Sequence, residues 1–449
     1  MGKRSLGDSA ETGQAGLEDG KPPPAGVVVS SDAKRRVRHY NDVPVWRDVT
    51  PEQWGDWRWQ MQNSLRTVEQ LGQVLQLTPA EREGFERTKS ELAMAIPPYY
   101  AALMDPEDPW CPVRMQGVPT IMEATGLGVK DSLGEDAHMV TPGLVHRYPD
   151  RVLLLVNNMC QLYCRHCTRK RLTGKPNKVL PKPELEQAFA YLRAHPEVRD
   201  VLISGGDPLM MSDANLEYVL SNLRDIPSLE VLRIGTRAPV TIPQRITPKL
   251  VQMLRKFHPL WINTHFNHPK ELTVEAKEAC ARIVDAGIPL GNQTVLLRRV
   301  NSTARIMKEL MHRLVMARVR PYYIYQCDLE QGLEHFRTSV ETGLEIMEAL
   351  RGWTTGFAVP TYVVDAPGGG GKIPIAPNYL LTTGESKVTI RNFEGQTFSY
   401  PQPTERDASC PYDAKWAAGA PSEPKARRRR PGVRLKLVHA NSSPVGAAE

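Results

Sequence analysis

Residues 152–167 read VLLLVNNMCQLYCRHC, and this stretch decides the fold. The apolar run at 152–156 is a short buried strand ended by two asparagines. Cys160, Cys164 and Cys167 follow at once as CxxxCxxC. Thiolates so close together in one loop surround a single compact metal centre. A structural zinc site closes with four protein ligands. A [4Fe–4S] cluster held by three cysteines keeps one iron open for an outside ligand. The neighbours Arg165, Arg169, Lys170 and Arg171 would favour thiolates and an anionic cluster. A zinc knuckle completed by His166 is the alternative, but a strand exit that begins a run of β/α units favours the cluster.

That run extends outward from the cysteines. Strand-like segments VLISG (201–205), VLRIG (231–235), WINTHF (261–266), LGNQTVLL (290–297) and YYIYQC (322–327) follow the first. Amphipathic stretches at 182–195, 213–223, 247–257, 272–286, 303–313 and 338–350 alternate with them. Such alternation predicts parallel strands with crossover helices, in a doubly wound sheet or a barrel. Cys160, Asp207, Arg237, His268, Arg298 and Asp328 stand just past the strands, at the end where barrels carry their sites. No GxGxxG follows the first strand, which argues against a dinucleotide fold. A further apolar run, FAVPTYVV (357–364), leads into a glycine run, and residues 379–400 have a hairpin pattern. Residues 51–104 read as helical and 105–150 as irregular.

Composition bounds the rest. The chain has 449 residues, 41% hydrophobic and 24% charged, with a net charge of +7. These are values of a globular protein, not of a collagen, a coiled-coil rod or a disordered chain. Residues 1–38 carry +2 and residues 421–449 carry +5, which leaves the 382 residues between them neutral. The basic balance therefore describes the ends and gives no reason to expect specific nucleic-acid binding by the body. No run of about 18 apolar residues is present, so no membrane association is expected. Without a secretory signal, clustered cysteines point to metal chemistry in the cytoplasm and not to disulfides. The expected organisation is a disordered lead (1–38), a helical region (39–145), a β/α barrel (146–376), a β-containing extension (377–414) and a basic disordered tail (415–449).

Two glycine segments complete the pattern. SGGDPL (204–209) ends the second strand, where paired glycines allow close approach of backbone to a ligand. DAPGGGGK (365–372) presents Lys372 after four glycines. It is not a phosphate-binding P-loop, since Ala366 and Ile373 occupy required positions. A lysine at a pocket mouth can form a Schiff base, and pyridoxal phosphate (PLP) is the commonest cofactor so held.

CxxxCxxC, GGDPL and VVDAPGGGGK in this order resemble the lysine 2,3-aminomutase family of radical S-adenosylmethionine (SAM) enzymes, from about residue 40 to 410. The resemblance implies an α/β fold: a partial (β/α)6-type radical SAM barrel with a helical N-terminal region and a small C-terminal β-containing extension. It implies a [4Fe–4S] cluster on Cys160, Cys164 and Cys167, with SAM on the open iron and against Gly205, Gly206 and Asp207. It implies PLP on Lys372, its phosphate on Arg147 and Arg151 of HRYPDR (146–151), and its ring on Tyr148. His265 and Gln293 match positions that contact SAM or PLP. Arg169 matches the residue for the substrate α-carboxylate, and Asp328 and Asp365 match the two acids for a distal ammonium. Relatives that act on glutamate carry a basic residue and an amide at those two positions.

The implied activity is a 2,3-aminomutase, an isomerase moving the α-amino group of a basic amino acid to the β-carbon: lysine to β-lysine. Arginine and ornithine stay open as substrates. So does a β-lysine-forming enzyme for translation-factor modification, although those relatives are shorter at both ends. A non-catalytic iron–sulfur or nucleic-acid-binding protein would have no use for Lys372, Arg169, Asp328 and Asp365 together. The family implies an electron donor of flavodoxin or ferredoxin type and leaves a homo-oligomer open. Some relatives bind zinc through a C-terminal cysteine group. Here that segment reads CPYD with Cys410 alone, and position 303 is Thr, so no structural zinc is expected. Anaerobically reconstituted protein is expected to be brown and to lose its cluster in Cys160→Ala, Cys164→Ala or Cys167→Ala. The visible Schiff-base absorbance of PLP is expected to vanish in Lys372→Ala.

Overall fold

A computed structural model of the chain describes residues 38–173 and 178–405. The expected disordered ends, the ARRRR segment and Cys410 lie outside the described residues, apart from Arg38. Ten strands form one sheet in chain order. They are β1 (Met139–Thr141), β2 (Leu144–Tyr148), β3 (Arg151–Asn157), β4 (Asp200–Gly205), β5 (Val231–Gly235), β6 (Leu260–Thr264), β7 (Leu290–Leu296), β8 (Arg320–Gln326), β9 (Thr361–Ala366) and β10 (Gly371–Pro374). From β3 to β9 every neighbouring pair is parallel. β1, β2 and β10 are antiparallel additions at the two edges. The six β/α units are therefore as the alternating pattern predicts, and β9 adds a seventh parallel strand. The list of neighbours does not close on itself among the described residues, which makes the barrel partial.

Six short helices precede the sheet: α1 (Pro51–Gly55), α2 (Trp57–Gln62), α3 (Val68–Gly72), α4 (Pro79–Thr88), α5 (Pro98–Ala102) and α6 (Pro112–Met115). Asp56 separates α1 from α2 because its carboxylate caps the second helix through Arg58 N. The crossovers use α7 (Lys182–Ala194), α8 (Asp213–Arg224), α9 (Ala238–Thr241), α10 (Pro248–Leu254), α11 (Val274–Asp285), α12 (Ala304–Met316) and α13 (Val340–Leu350). Their apolar faces recur every three or four residues, as at Leu216, Val219, Leu220 and Leu223 of α8, all fully buried. These faces cover the sheet and, with the strand residues facing them, make one continuous core. No helix of the described residues is long and apolar enough to cross a membrane.

The structure amends the expected outline in three places. β1 and β2 occupy part of the segment read as irregular, so the boundary at 146 falls inside a strand. Residues 379–400 form three strands, β11 (Leu380–Thr383), β12 (Lys387–Arg391) and β13 (Thr397–Pro401), in a separate antiparallel sheet. Lys372 does not ride a flexible loop: it lies on β10, directly across from Asp365 on β9.

Two features fix the cysteine loop at the mouth of the barrel. Arg165 is fully buried, donates Nε and Nη2 to Glu123 at 2.6–3.0 Å, and reaches the carbonyls of Leu92 and Ala93 through Nη1. It rivets the loop to the N-terminal helical region. From the other side β4 ends against the loop backbone. A Cβ on Gly206 would lie 2.3 Å from the carbonyl oxygen of Met159, and one on Gly205, whose φ is +129°, would lie 2.2 Å from that of Asn157. The glycines are required by this contact between two backbones.

Gly206→Ala is accordingly expected to displace the cysteine loop and lower the iron content of reconstituted protein, measured against protein concentration. A second buried pair, Arg114 with Glu81 at 2.7–2.8 Å, ties α6 to α4. Glu81→Ala is expected to cost about 3–5 kcal/mol in a urea melt, because it strands a buried guanidinium.

Candidate active site

A cavity of about 390 Å³ runs through the barrel interior. It gathers Arg147, Tyr148, Arg151, Arg169, Gln293, Asp365 and Lys372 of the expected site residues. β2, β3, β7, β9 and β10 and the loop after β3 each contribute to it.

The Lys372 ammonium donates to both oxygens of Asp365, at 2.9 and 3.0 Å, and lies 4.9 Å from the centre of the Tyr325 ring. Its backbone N–H donates to the Tyr148 hydroxyl at 3.1 Å. Asp328 belongs to the same electrostatic neighbourhood although it is not a lining residue. Burial first, and then the charge of Asp365, push its carboxyl up to about 7, against an opposing pull from Lys372. Two carboxylates held together without enough cation behave this way.

The basic groups nearby show where an anion fits. Arg151 stacks on the Tyr148 ring at 4.0 Å. Arg147 donates through Nη1 to His138 at 3.0 Å, and His138 in turn bonds the Gly134 carbonyl at 2.7 Å. The Arg147 Nε is buried with no hydrogen-bond partner. An orphaned guanidinium donor beside a second arginine and a tyrosine ring, in a cavity that also holds an amine, suits an anionic aromatic cofactor such as PLP. Arg169 is engaged by Glu135 through Nε and Nη2, both at 2.8 Å, and by the Ser204 hydroxyl through Nη1 at 3.1 Å. Glu135 sits on a loop, where nothing in the sequence pattern singles it out.

Cys160, Cys164 and Cys167 are free and partly buried. Burial, reinforced by the neighbouring cysteines, pushes the Cys167 thiol up to about 11 and the Cys160 thiol well above its ordinary value. Such a dry, mutually repelling set becomes stable as thiolates when a cationic metal centre binds, which fits the cluster reading.

Of the basic neighbours, Arg169 favours the Cys160 and Cys167 thiolates as expected, by its charge and by a backbone N–H 3.3 Å from Cys167 Sγ, while the guanidinium groups are also bound by carboxylates. Arg165 is spent on Glu123, Arg169 on Glu135, and Arg171 on Asp131 and Asp136. The side chain that donates to Cys164 is Arg237, after β5, with Nη1 2.8 Å from Sγ. Asp207 also differs from expectation. Its buried carboxylate takes donors from Gln161, Leu209 N, Thr236 and Arg237 N at 2.7–3.0 Å. It is an organiser of the strand ends, and its oxygens are occupied by the protein. His265 is partly buried near the same mouth, its carbonyl accepting from Arg237 Nε. Burial, and then Arg237, hold its imidazole down at about 4, so it is neutral at ordinary pH. Gln293 donates to the Tyr325 hydroxyl at 2.9 Å.

Comparison with known proteins agrees with this arrangement. Residues 154–308 match a family model described as the radical SAM superfamily, and residues 347–433 match one described as lysine-2,3-aminomutase. The chain is 54% identical over 371 residues to an L-lysine 2,3-aminomutase of Clostridium subterminale, covering 82% of this chain and 89% of that one. It is 55% identical to an L-lysine 2,3-aminomutase of Bacillus subtilis, covering 82% and 78% of the two chains. A glutamate 2,3-aminomutase of Clostridioides difficile is 44% identical, covering 77% and 82%. With a three-cysteine loop at the mouth of a partial β/α barrel and an amine-bearing cavity behind it, the chain belongs to the lysine 2,3-aminomutase family of radical SAM enzymes.

Proposed function

We propose that this enzyme moves the α-amino group of L-lysine to the β-carbon, giving β-lysine. Family membership implies three cofactors, a [4Fe–4S] cluster, SAM and PLP, which supply the hydrogen-abstracting radical and the imine that carries the migrating nitrogen. The chain's own residues bind, orient and exclude water.

The observation that carries the substrate assignment is a pair of acids beside the Lys372 amine: Asp365, 2.9 and 3.0 Å from its Nζ, and Asp328, whose carboxyl is pushed up by burial and then by the charge of Asp365. A substrate whose side chain ended in a carboxylate would add a third negative charge there, whereas an ammonium relieves the repulsion. In this reading Lys372 anchors PLP, Arg147 and Arg151 take its phosphate, and Tyr148 packs on its ring. Arg169, steadied by Glu135 and Ser204, supplies the positive charge that meets the α-carboxylate. Cys160, Cys164 and Cys167 hold the cluster. Gly205 and Gly206 hold the end of β4 against the cysteine loop so that SAM meets this strand end, Asp207 fixes that backbone, and His265 and Gln293 line the path between SAM and PLP. The barrel of residues 146–376 carries all of these groups, with 39–145 closing the cluster side and 377–414 appended. The reading includes a flavodoxin- or ferredoxin-type electron donor, a homo-oligomer and a cytoplasmic location.

An anaerobic assay with SAM, reductant and PLP, offered lysine, arginine, ornithine and glutamate separately, is expected to turn over lysine best. Turnover of glutamate but not lysine would overturn the assignment. Asp328→Asn is expected to lower kcat/KM for lysine by about 10- to 100-fold, the loss of one charged hydrogen bond.

The pH dependence follows from the raised carboxyl. Asp328 must be ionised to receive an ammonium, so kcat/KM is expected to fall as pH drops through about 7 in the free enzyme. Because its folded value lies above the unfolded one, ionising Asp328 costs stability as pH rises from the ordinary aspartate range towards 7. Bound lysine removes that cost. The rise in thermal midpoint on adding lysine is therefore expected to be larger at pH 8 than at pH 6.

A further inference from the structure

Arg237 stands behind the cysteine loop, on the exit of β5, with its side chain buried. Its guanidinium is held on every edge. Nε donates to the His265 carbonyl at 3.2 Å. Nη2 donates to Gln116 Oε1 at 2.5 Å, Glu271 Oε1 at 2.8 Å and the Tyr100 hydroxyl at 3.3 Å. Nη1 is aimed at Cys164 Sγ, 2.8 Å away. The backbone N–H of the same residue donates to Asp207 at 2.8 Å, so Arg237 joins the end of β4 to the cysteine loop.

An ion pair with Glu271 needs only the Nη2 edge. The Nη1 contact to sulfur is a separate interaction, and the surrounding bonds prevent the group from turning away. Among the described residues Arg237 is the side chain that donates a hydrogen bond to a cysteine of the CxxxCxxC motif. Hydrogen bonds to ligand sulfur and nearby positive charge stabilise the more negative, reduced state of an iron–sulfur centre and so raise its potential.

We infer that Arg237 tunes the cluster, raising its reduction potential through the charged N–H donor on Cys164. The inference rests on the reading of Cys160, Cys164 and Cys167 as cluster ligands. The step concerned is the uptake of one electron by the oxidised cluster from a one-electron reductant, with no bond made or broken at Arg237. Arg237 acts through Cys164 and touches neither SAM nor substrate in this account, so it is a positioning and tuning residue.

The test compares full-length wild type, Arg237→Lys and Arg237→Gln after anaerobic reconstitution. Iron and sulfide content are measured first. Redox titration with dithionite and mediator dyes then follows the electron paramagnetic resonance signal of the reduced cluster. The Gln variant is expected to load as wild type does and to show a more negative midpoint. The Lys variant, which keeps the charge, is expected to fall between them. An unchanged midpoint in a loaded Gln variant overturns the inference. So does a variant folded by circular dichroism that no longer loads, since Arg237 would then serve assembly. Should the Gln variant fail to fold, Arg237→Met combined with Glu271→Gln removes both charges together and is read the same way. If wild type takes up no iron, or Cys164→Ala retains its full content, the cluster reading itself falls and this inference with it, a failure separated from the first by iron content alone.

Discussion

The arrangement depends on taking the Arg165 guanidinium out of water. Its bonds to Glu123 and to the carbonyls of Leu92 and Ala93 anchor a loop that also buries Leu162 and Tyr163. Breaking such a buried pair by removing one partner costs several kcal/mol, so the loop has one position and not several. With the loop fixed, β4 can approach it at a distance only glycine allows. Asp207 can then collect four donors from the surrounding strand ends and loops. The loop carrying the thiols is thereby held at the barrel mouth by contacts from both sides.

Charge balance follows the same logic through the interior. Arg169 is set by Glu135, Arg171 by Asp131 and Asp136, and Arg237 by Glu271. Each partner comes from a distant part of the chain. The barrel holds these three guanidinium groups because each has a carboxylate at hydrogen-bond distance. The balance is incomplete at Arg147 Nε, which belongs to a cavity-lining residue, and at the Asp328 carboxyl, and each has the sign that an anion or a cation from outside would correct.

Much of this was legible in the sequence, because periodicity is local. The β3–α7 to β8–α13 units follow from apolar spacing, and the cysteine loop and the glycine pairs follow from position after a strand. The errors lie where a side chain chooses between partners far apart in the chain. Among the basic residues next to the cysteines Arg169 does favour the thiolates, yet Arg165 turned to Glu123, and the side-chain donor to Cys164 is Arg237, 70 residues beyond Cys167. Glu135 could not be foreseen, since a carboxylate in an irregular segment has no pattern. β1, β2 and β10 were missed because edge strands of three to five residues carry too few alternations to be read.

The position of Lys372 on a strand has one more consequence. The β9–β10 ladder pairs Gly371 with Ala366, Lys372 with Asp365 and Ile373 with Val364. Successive residues on a strand face opposite sides. A slip of one residue in this ladder would swing the amine to the outer face while the acid stayed inside. Hairpin register, a property of backbone pairing and of the turn at 367–370, is thus what keeps the two reactive groups on the same side of the sheet.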